Sequence, residues 1–149
     1  MADTLIKEAV RAFLLDQTTV TDSLATYRFA DGQAEAPAIF TTDIFPDDVR
    51  YPAIIVRQVG GNRFGCRDTK GMDATIDVII YANKLTSADI LDALADVTWL
   101  VLERAALQTK MATVGWEEWG VRAAPPQIHD DPDEYPGRLI QLSVRALRA

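Results

Sequence analysis

An α+β fold is the class this sequence predicts: one domain over residues 1–149, with an antiparallel sheet of about four to five strands and two helices packed on one face. Three observations carry that expectation. Residues 72–81 alternate strictly, with Met72, Ala74, Ile76, Val78 and Ile80 on one side and Asp73, Thr75, Asp77, Ile79 and Tyr81 on the other. That is the period of a half-buried strand. Residues 139–147 repeat it, with Ile140, Leu142, Val144 and Ala146 opposite Gln141, Ser143 and Arg145. Between them, Ile90, Leu94, Val97 and Val101 recur at helical spacing, widened by Leu91, Leu102 and Ala105.

In chain order, Thr4–Leu15 reads as a first helix, capped by Asp3 or Thr4, with Leu5, Ala9, Ala12 and Phe13 toward the core. From Asp16 to Val49 the pattern breaks into scattered apolar residues among turn formers, and one short strand is expected near Ala38–Thr42. A connection this long needs a surface to pack on. A neighbouring subunit is the candidate, reached by adding a strand to an exposed sheet edge.

The stretch PAIIVRQV after Tyr51 is an apolar, β-branched strand, and GGNRFGCRDTKG after it reads as a polar hairpin loop from Gly60 to Gly71. The alternating strand follows, and Thr86 or Ser87 then caps the long helix. Thr113–Arg122 is a further strand interrupted by Gly115 and Gly120, with Trp116 and Trp119 on opposite faces if pairing is regular. AAPPQIHDDPDEYPG is punctuated by prolines and cannot be the interior of a strand or helix. The order is helix, strand, strand, helix, strand, strand.

The chain carries 15 basic and 22 acidic residues, a net charge of −7, which argues against general affinity for nucleic acid. Acids cluster at Asp43, Asp47 and Asp48, along the long helix at Asp89, Asp92 and Asp96, and at Asp130, Asp131, Asp133 and Glu134. No apolar run approaches the roughly 18–20 residues a membrane helix needs, and the first residues lack a signal peptide's apolar centre, so a cytosolic product is expected. One cysteine, Cys66, allows neither an intrachain disulfide nor a multi-cysteine zinc site.

No catalytic constellation stands out. Gly60, Gly61 and Gly65 do not have phosphate-loop spacing, and a strand follows them where an anion site needs a helix N-terminus. His129 among its acids lacks the alternating oxygens and central glycine of a calcium loop. Trp116 and Trp119 flank two glutamates, a pattern that belongs to core or interface more often than to acid catalysis. Arg57, Arg63, Phe64, Arg67 and Lys70 form a basic, aromatic-bearing arm that suits either a solvated hairpin tip or contact with a partner protein. No metal or cofactor is expected.

The element order and several stretches together carry a family resemblance. A short N-terminal helix, YPAIIV, a polar hairpin, DVIIYAN, a Ser/Asp-capped helix with DALADVTWLVLE, a Pro/Asp-rich loop and RLIQLSVRAL resemble the tail terminator, or tail completion, proteins of long-tailed phages and phage-derived gene transfer agents. The resemblance covers nearly the whole chain. Thr26–Phe45 is longer than the family pattern.

The resemblance implies a structural protein without enzymatic activity: a ring, as a homohexamer, that caps the tail tube at its final length at the head-proximal end of the virion tail. Its partners would be further copies of itself, the tail tube protein and the head–tail connector protein, with assembly in the host cytoplasm and no membrane involved. DNA would pass through the ring without specific binding, and an acidic lining would repel that polyanion. Asp47, Asp48, Asp92, Asp96, Asp130 and Asp131 are the candidate groups for such a lumen, or for an acidic outer surface that serves solubility. The alternatives are a neck or head-completion protein, or a small α+β ligand-binding or enzyme domain.

Overall fold

The computed structural model describes residues 6–42, 44–66, 69–103, 107, 111–112, 116–130 and 135–148; for 62–66, 69–70, 116–119 and 147–148 it describes the backbone. The helices are α1 (Ile6–Leu15), the single turn α2 (Thr18–Thr21) and α3 (Ala88–Leu102). The strands before α3 are β1 (Thr26–Tyr27), β2 (Ala36–Pro37), β3 (Ile39–Phe40), β4 (Ala53–Cys66) and β5 (Thr69–Tyr81). Those after it are β6 (Trp116–Ala123), β7 (Gln127–Ile128) and β8 (Gly137–Arg148). The fold is α+β with a mainly antiparallel sheet.

Among the described residues the main sheet has six strands in the order β3-β4-β5-β8-β6, with β7 beside the start of β8, and β1 and β2 pair separately. This is more than the four to five strands expected. The additional pairs are two-residue edge pieces, too short to leave a period in the sequence. β3 realises the short strand expected near Ala38–Thr42, and it runs parallel to β4. A parallel pair needs a crossover of about a dozen residues, and 41–52 supplies it. β7 follows Pro125 and Pro126 within the proline-rich stretch, where no strand was expected. Gln127 and Ile128 keep their N–H groups, and a strand at the sheet margin needs a ladder on one side only.

The expected loop from Gly60 to Gly71 is strand. β4 and β5 stay paired to Cys66↔Thr69, leaving only Arg67 and Asp68 between them, and those two lie outside the described residues. Glycines and polar residues suggest a loop, but the ladder extends through a β-bulge between Gln58 and Gly60 that keeps the two arms in register. β6 has a similar irregularity between Glu118 and Gly120, so Trp119 is skipped in the pairing and the regular pairing on which the opposite facing of the two tryptophans was conditioned is not met.

One face of the sheet holds the core. Ile54 and Val56 of β4, Ala74, Ile76, Val78 and Ile80 of β5, and Ile140, Leu142, Val144 and Ala146 of β8 pack with α1 and α3 in one cluster. In α1 the buried stripe is Ile6, Ala9, Val10, Phe13 and Leu14; Ala12 is half-buried, and the expected caps and Leu5 lie outside the described residues. In α3 the buried stripe is Leu91, Leu94, Ala95, Thr98, Val101 and Leu102, while Ile90 is exposed and Val97 half-buried, a rotation of the expected face. Ser87 caps α3, accepting from the Ile90 N–H at 3.5 Å, and Ala105 lies outside the described residues.

Polar contacts fix the helices on the sheet. Arg11 Nε donates to the Ile39 carbonyl at 2.7 Å and Lys7 Nζ to that of Thr41 at 3.1 Å, tying α1 to the β3 edge. Burial lowers the Arg11 pKa, which the charge of Glu8 partly offsets. Trp99 Nε1 donates to the Ala123 carbonyl at 3.0 Å, tying α3 to the end of β6. Buried Thr98 returns its hydroxyl to the Leu94 carbonyl at 2.8 Å, which satisfies a polar group inside the layer.

The long connection 16–49, expected to need a surface to pack on, has one among the described residues. The segment packs on its own chain. Ala38 and Phe40 are buried with Ala53 and Ile55 on the sheet face away from the helices, flanked by Tyr27, Phe45, Val49 and Tyr51. Edge-to-face contacts run from Tyr27 to Phe40, from Phe40 to Phe45, and from Phe45 to Tyr51 and Tyr81 at centroid distances of 5.1–5.7 Å, and Tyr51 stacks on Tyr135. Aromatic burial gives this connection the surface it needs within the domain. The Tyr27 hydroxyl donates to Asp48 at 3.0 Å, which raises the phenol's pKa.

Gly137 begins β8 where the chain turns under this aromatic end. A Cβ there would collide with the His129 carbonyl oxygen and sit 2.8 Å from the Tyr81 ring. His129 N–H donates to the Gly137 carbonyl at 3.0 Å, so the close approach is part of the ladder. Gly137→Ala is expected to lower stability by about 1–3 kcal/mol, the usual cost of overpacking. Urea unfolding checks it, and an unchanged midpoint would show that the β7–β8 start can shift freely.

Candidate interaction surface

Alternation turns the other side of the central strands into a polar face, and the register decides which side chains meet on it. Arg57, Asp77 and Gln141 share one cross-strand row over β4, β5 and β8. Asp77 is 6% exposed although it is ionisable; Arg57 Nη2 lies 3.7 Å from one of its oxygens, and Gln141 Nε2 donates to the other at 3.4 Å. Arg57 Nε is buried and has no hydrogen-bond partner. Two rows further on, Asp73 faces Arg145, with Nε 3.2 Å from the carboxylate. Between them lies a row of Thr75, Ser143 and Arg122.

Bulges in β4 and β6 bend both outer strands near these rows. The result is a concave groove of about 620 Å³ running from Gly61 to Gly120 across Thr75, Ser143, Asp73 and Arg145. The groove is open and holds the Asp73 carboxylate, the guanidiniums of Arg122 and Arg145 and the hydroxyls of Thr75 and Ser143 together. Its basic and acidic groups are interleaved across strands.

The margins of this face matter as much as its centre. Among the described residues, β4 beyond its two-residue pairing with β3 has a strand partner only on the β5 side, and β6 only on the β8 side. Both outer margins are therefore open edge strands, which can accept another strand. β4, β5, β8 and β6 alternate in direction, so the two open edges run antiparallel to each other.

The sequence candidates distribute over different parts of the molecule. Arg57 is on the polar face. Arg63, Phe64 and Lys70 are ladder residues at the far end of the β4–β5 hairpin, and Arg67 lies outside the described residues. Asp48 pairs with Tyr27, and Asp47 beside it is exposed. Asp92 accepts from Arg138 Nε at 2.6 Å, and Asp130 accepts from the Gly137 N–H at 3.1 Å and lies 3.8 Å from Arg138 Nη1. Asp96 is exposed on α3, and Asp131 and Asp43 lie outside the described residues. The acids of the helix and of the late loop thus meet at Arg138, while Asp47 and Asp48 belong to the aromatic segment.

Sequence reasoning missed Arg138, a nearly buried cation that holds α3 to the start of β8. It also missed the Arg57–Asp77 and Asp73–Arg145 pairs. The polar residues at every second position of 73–77 were visible, but which charge lies opposite them depends on register, and no single strand encodes that. Among the described residues no group of three or more metal-ligating side chains converges. Comparison with known proteins finds no matching family model and no matching curated protein.

The Arg57–Asp77 contact is long and Arg57 is about one third exposed, so the pair is weaker than a fully buried one. Asp77→Ala is expected to lower unfolding free energy by about 1–2 kcal/mol, mostly by leaving Arg57 without its counter-charge and Gln141 without its acceptor. Adding Arg57→Ala should recover part of the loss in a double-mutant cycle. Strict additivity would show that the two side chains are not coupled.

Proposed function

We propose that this chain is a structural ring subunit of a phage-like tail, of the tail terminator kind, that caps the tube and offers a surface to the head connector. The observation that carries the reading is the sheet of long strands β4, β5, β8 and β6, open at both margins and concave on its polar side. Because the open edges run antiparallel, β6 of one copy can pair with β4 of the next in the same sense that β4 pairs with β5. A head-to-tail contact that repeats at a fixed rotation closes into a ring. Closure removes the edges that would otherwise invite uncontrolled strand addition.

The direction of curvature supports a defined inside and outside. The helices lie on one side of the sheet and the concave polar face on the other, so closure turns Asp73, Arg122 and Arg145 toward the lumen, with Arg57 and the nearly buried Asp77 in a row of the same face. On this reading the lining is not the acidic surface expected from composition. Its carboxylates lie beside guanidiniums on neighbouring strands, and Asp92 and Asp96 sit in the helix layer outside. A lining with both signs interleaved offers DNA no continuous basic track. On this reading the far end of the hairpin, where the backbone of Arg63, Phe64 and Lys70 lies in the ladder, is the part that would meet the tube or a neighbour.

Val59 is half-exposed at the β4 bulge and is skipped in the pairing with β5. Val59→Lys is therefore expected to leave the subunit folded while placing a charge on the edge that joins copies. Native mass spectrometry of the wild type should show one closed oligomer of a fixed number of copies, six on the family resemblance. The variant should remain a monomer with an unchanged circular dichroism spectrum. A wild type that is monomeric at every concentration and does not bind tail-tube ends would remove the support for a ring subunit.

A further inference from the structure

Helix α3 has a second apolar stripe that the described residues leave largely exposed, with only Val97 packed against the core. Leu91, Leu94, Ala95, Thr98, Val101 and Leu102 face the sheet. Next to them around the helix, Ile90, Ala93, Val97 and Leu100 recur at three- and four-residue spacing, with Ile90 62% and Leu100 50% exposed. The stripe borders an apolar groove of about 260 Å³ between α2 and α3, floored by Leu94 and Pro52 and rimmed by Thr19 and Ser23. Along its other margin run Asp89 and Asp96, both exposed. α3 contains no Lys or Arg.

We infer that this face is a docking site for a short amphipathic helix of another protein, one whose apolar stripe is flanked on one side by Lys or Arg. Ile90 to Leu100 spans about 15 Å, the length of roughly three helical turns. Apolar anchors at i, i+3 and i+7 suit a helix laid in a groove. The acidic margin sets the polarity of the partner. Among the described residues, α1, α2 and α3 do not supply that partner: only α1 carries bases, and its Lys7 and Arg11 are engaged on the carbonyls of Thr41 and Ile39. With a net charge of −7, a second copy also brings excess acid to an acidic margin. The inference stands on α3 and the groove beside it, and holds whether or not the chain forms a ring.

The test uses the full chain and two synthetic peptides of about 18 residues, both with leucine at helical spacing, one with lysine and one with glutamate on the flank. The lysine peptide should bind and shift the methyl NMR signals of Ile90, Val97 and Leu100. Binding should weaken about tenfold or more in Ile90→Ser/Leu100→Ser, whose changes are on the surface and spare the fold. Asp89→Asn/Asp96→Asn should weaken it severalfold and flatten its salt dependence. Three results would overturn the inference. One is no shift at those methyls, and another is equal binding of the glutamate peptide. The third is self-association of the wild type that the serine variant abolishes, which would assign the stripe to a second copy.

Discussion

The register of β5 against β8 is the constraint on which the rest of the molecule depends. Ala74 pairs with Val144, Ile76 with Leu142 and Val78 with Ile140, so apolar residues of both strands point to the helices together. A slip of β5 by one residue against β8 would send its other set, with Asp73 and Asp77, into the core. Several hydrophobic side chains would be exposed and two carboxylates buried without partners, so a slipped pairing is strongly disfavoured. The same register sets the charge rows on the opposite face. Core and surface chemistry are thus fixed by one pairing.

How much of this was legible in the sequence follows from that constraint. Strands with an apolar and a polar side announced themselves by period, and so β5 and β8 were readable with their faces. The arm of β4 beyond Gly60 was not, because glycine and polar residues there suit a loop as well as an edge strand, and only the partner strand decides. The rotation of α3 was hidden for a related reason. That helix is apolar around more than half of its circumference, so spacing alone could not say whether Ile90 or Leu91 faces inward. The segment 16–49 gave no period because its contribution comes from aromatic contacts between separate short pieces.

Of the candidate surface, Arg57 was singled out for its place beside the hairpin, yet its role on the polar face comes from Asp77 and Gln141 on two other strands. The six candidate acids were chosen by clustering along the chain. Folding separates Asp47 and Asp48 from the rest and joins Asp92 to Asp130 through Arg138, a residue with no signal in a linear reading. Two surfaces result on opposite sides of one sheet. The polar concave side and its open margins suit assembly with like copies, while the unburied stripe of α3 suits a partner of different chemistry.

Amide hydrogen exchange, compared between the monomer and the assembled protein, tests most directly whether the two strand edges join copies. Pairing between copies predicts that protection rises together along 57–66 and 116–123, whose outer groups have no strand partner among the described residues. It should change little in β5 and β8, which are already paired on both sides. Unchanged exchange along both edges in an assembled particle would contradict the account, because the copies would then be held together by some other surface.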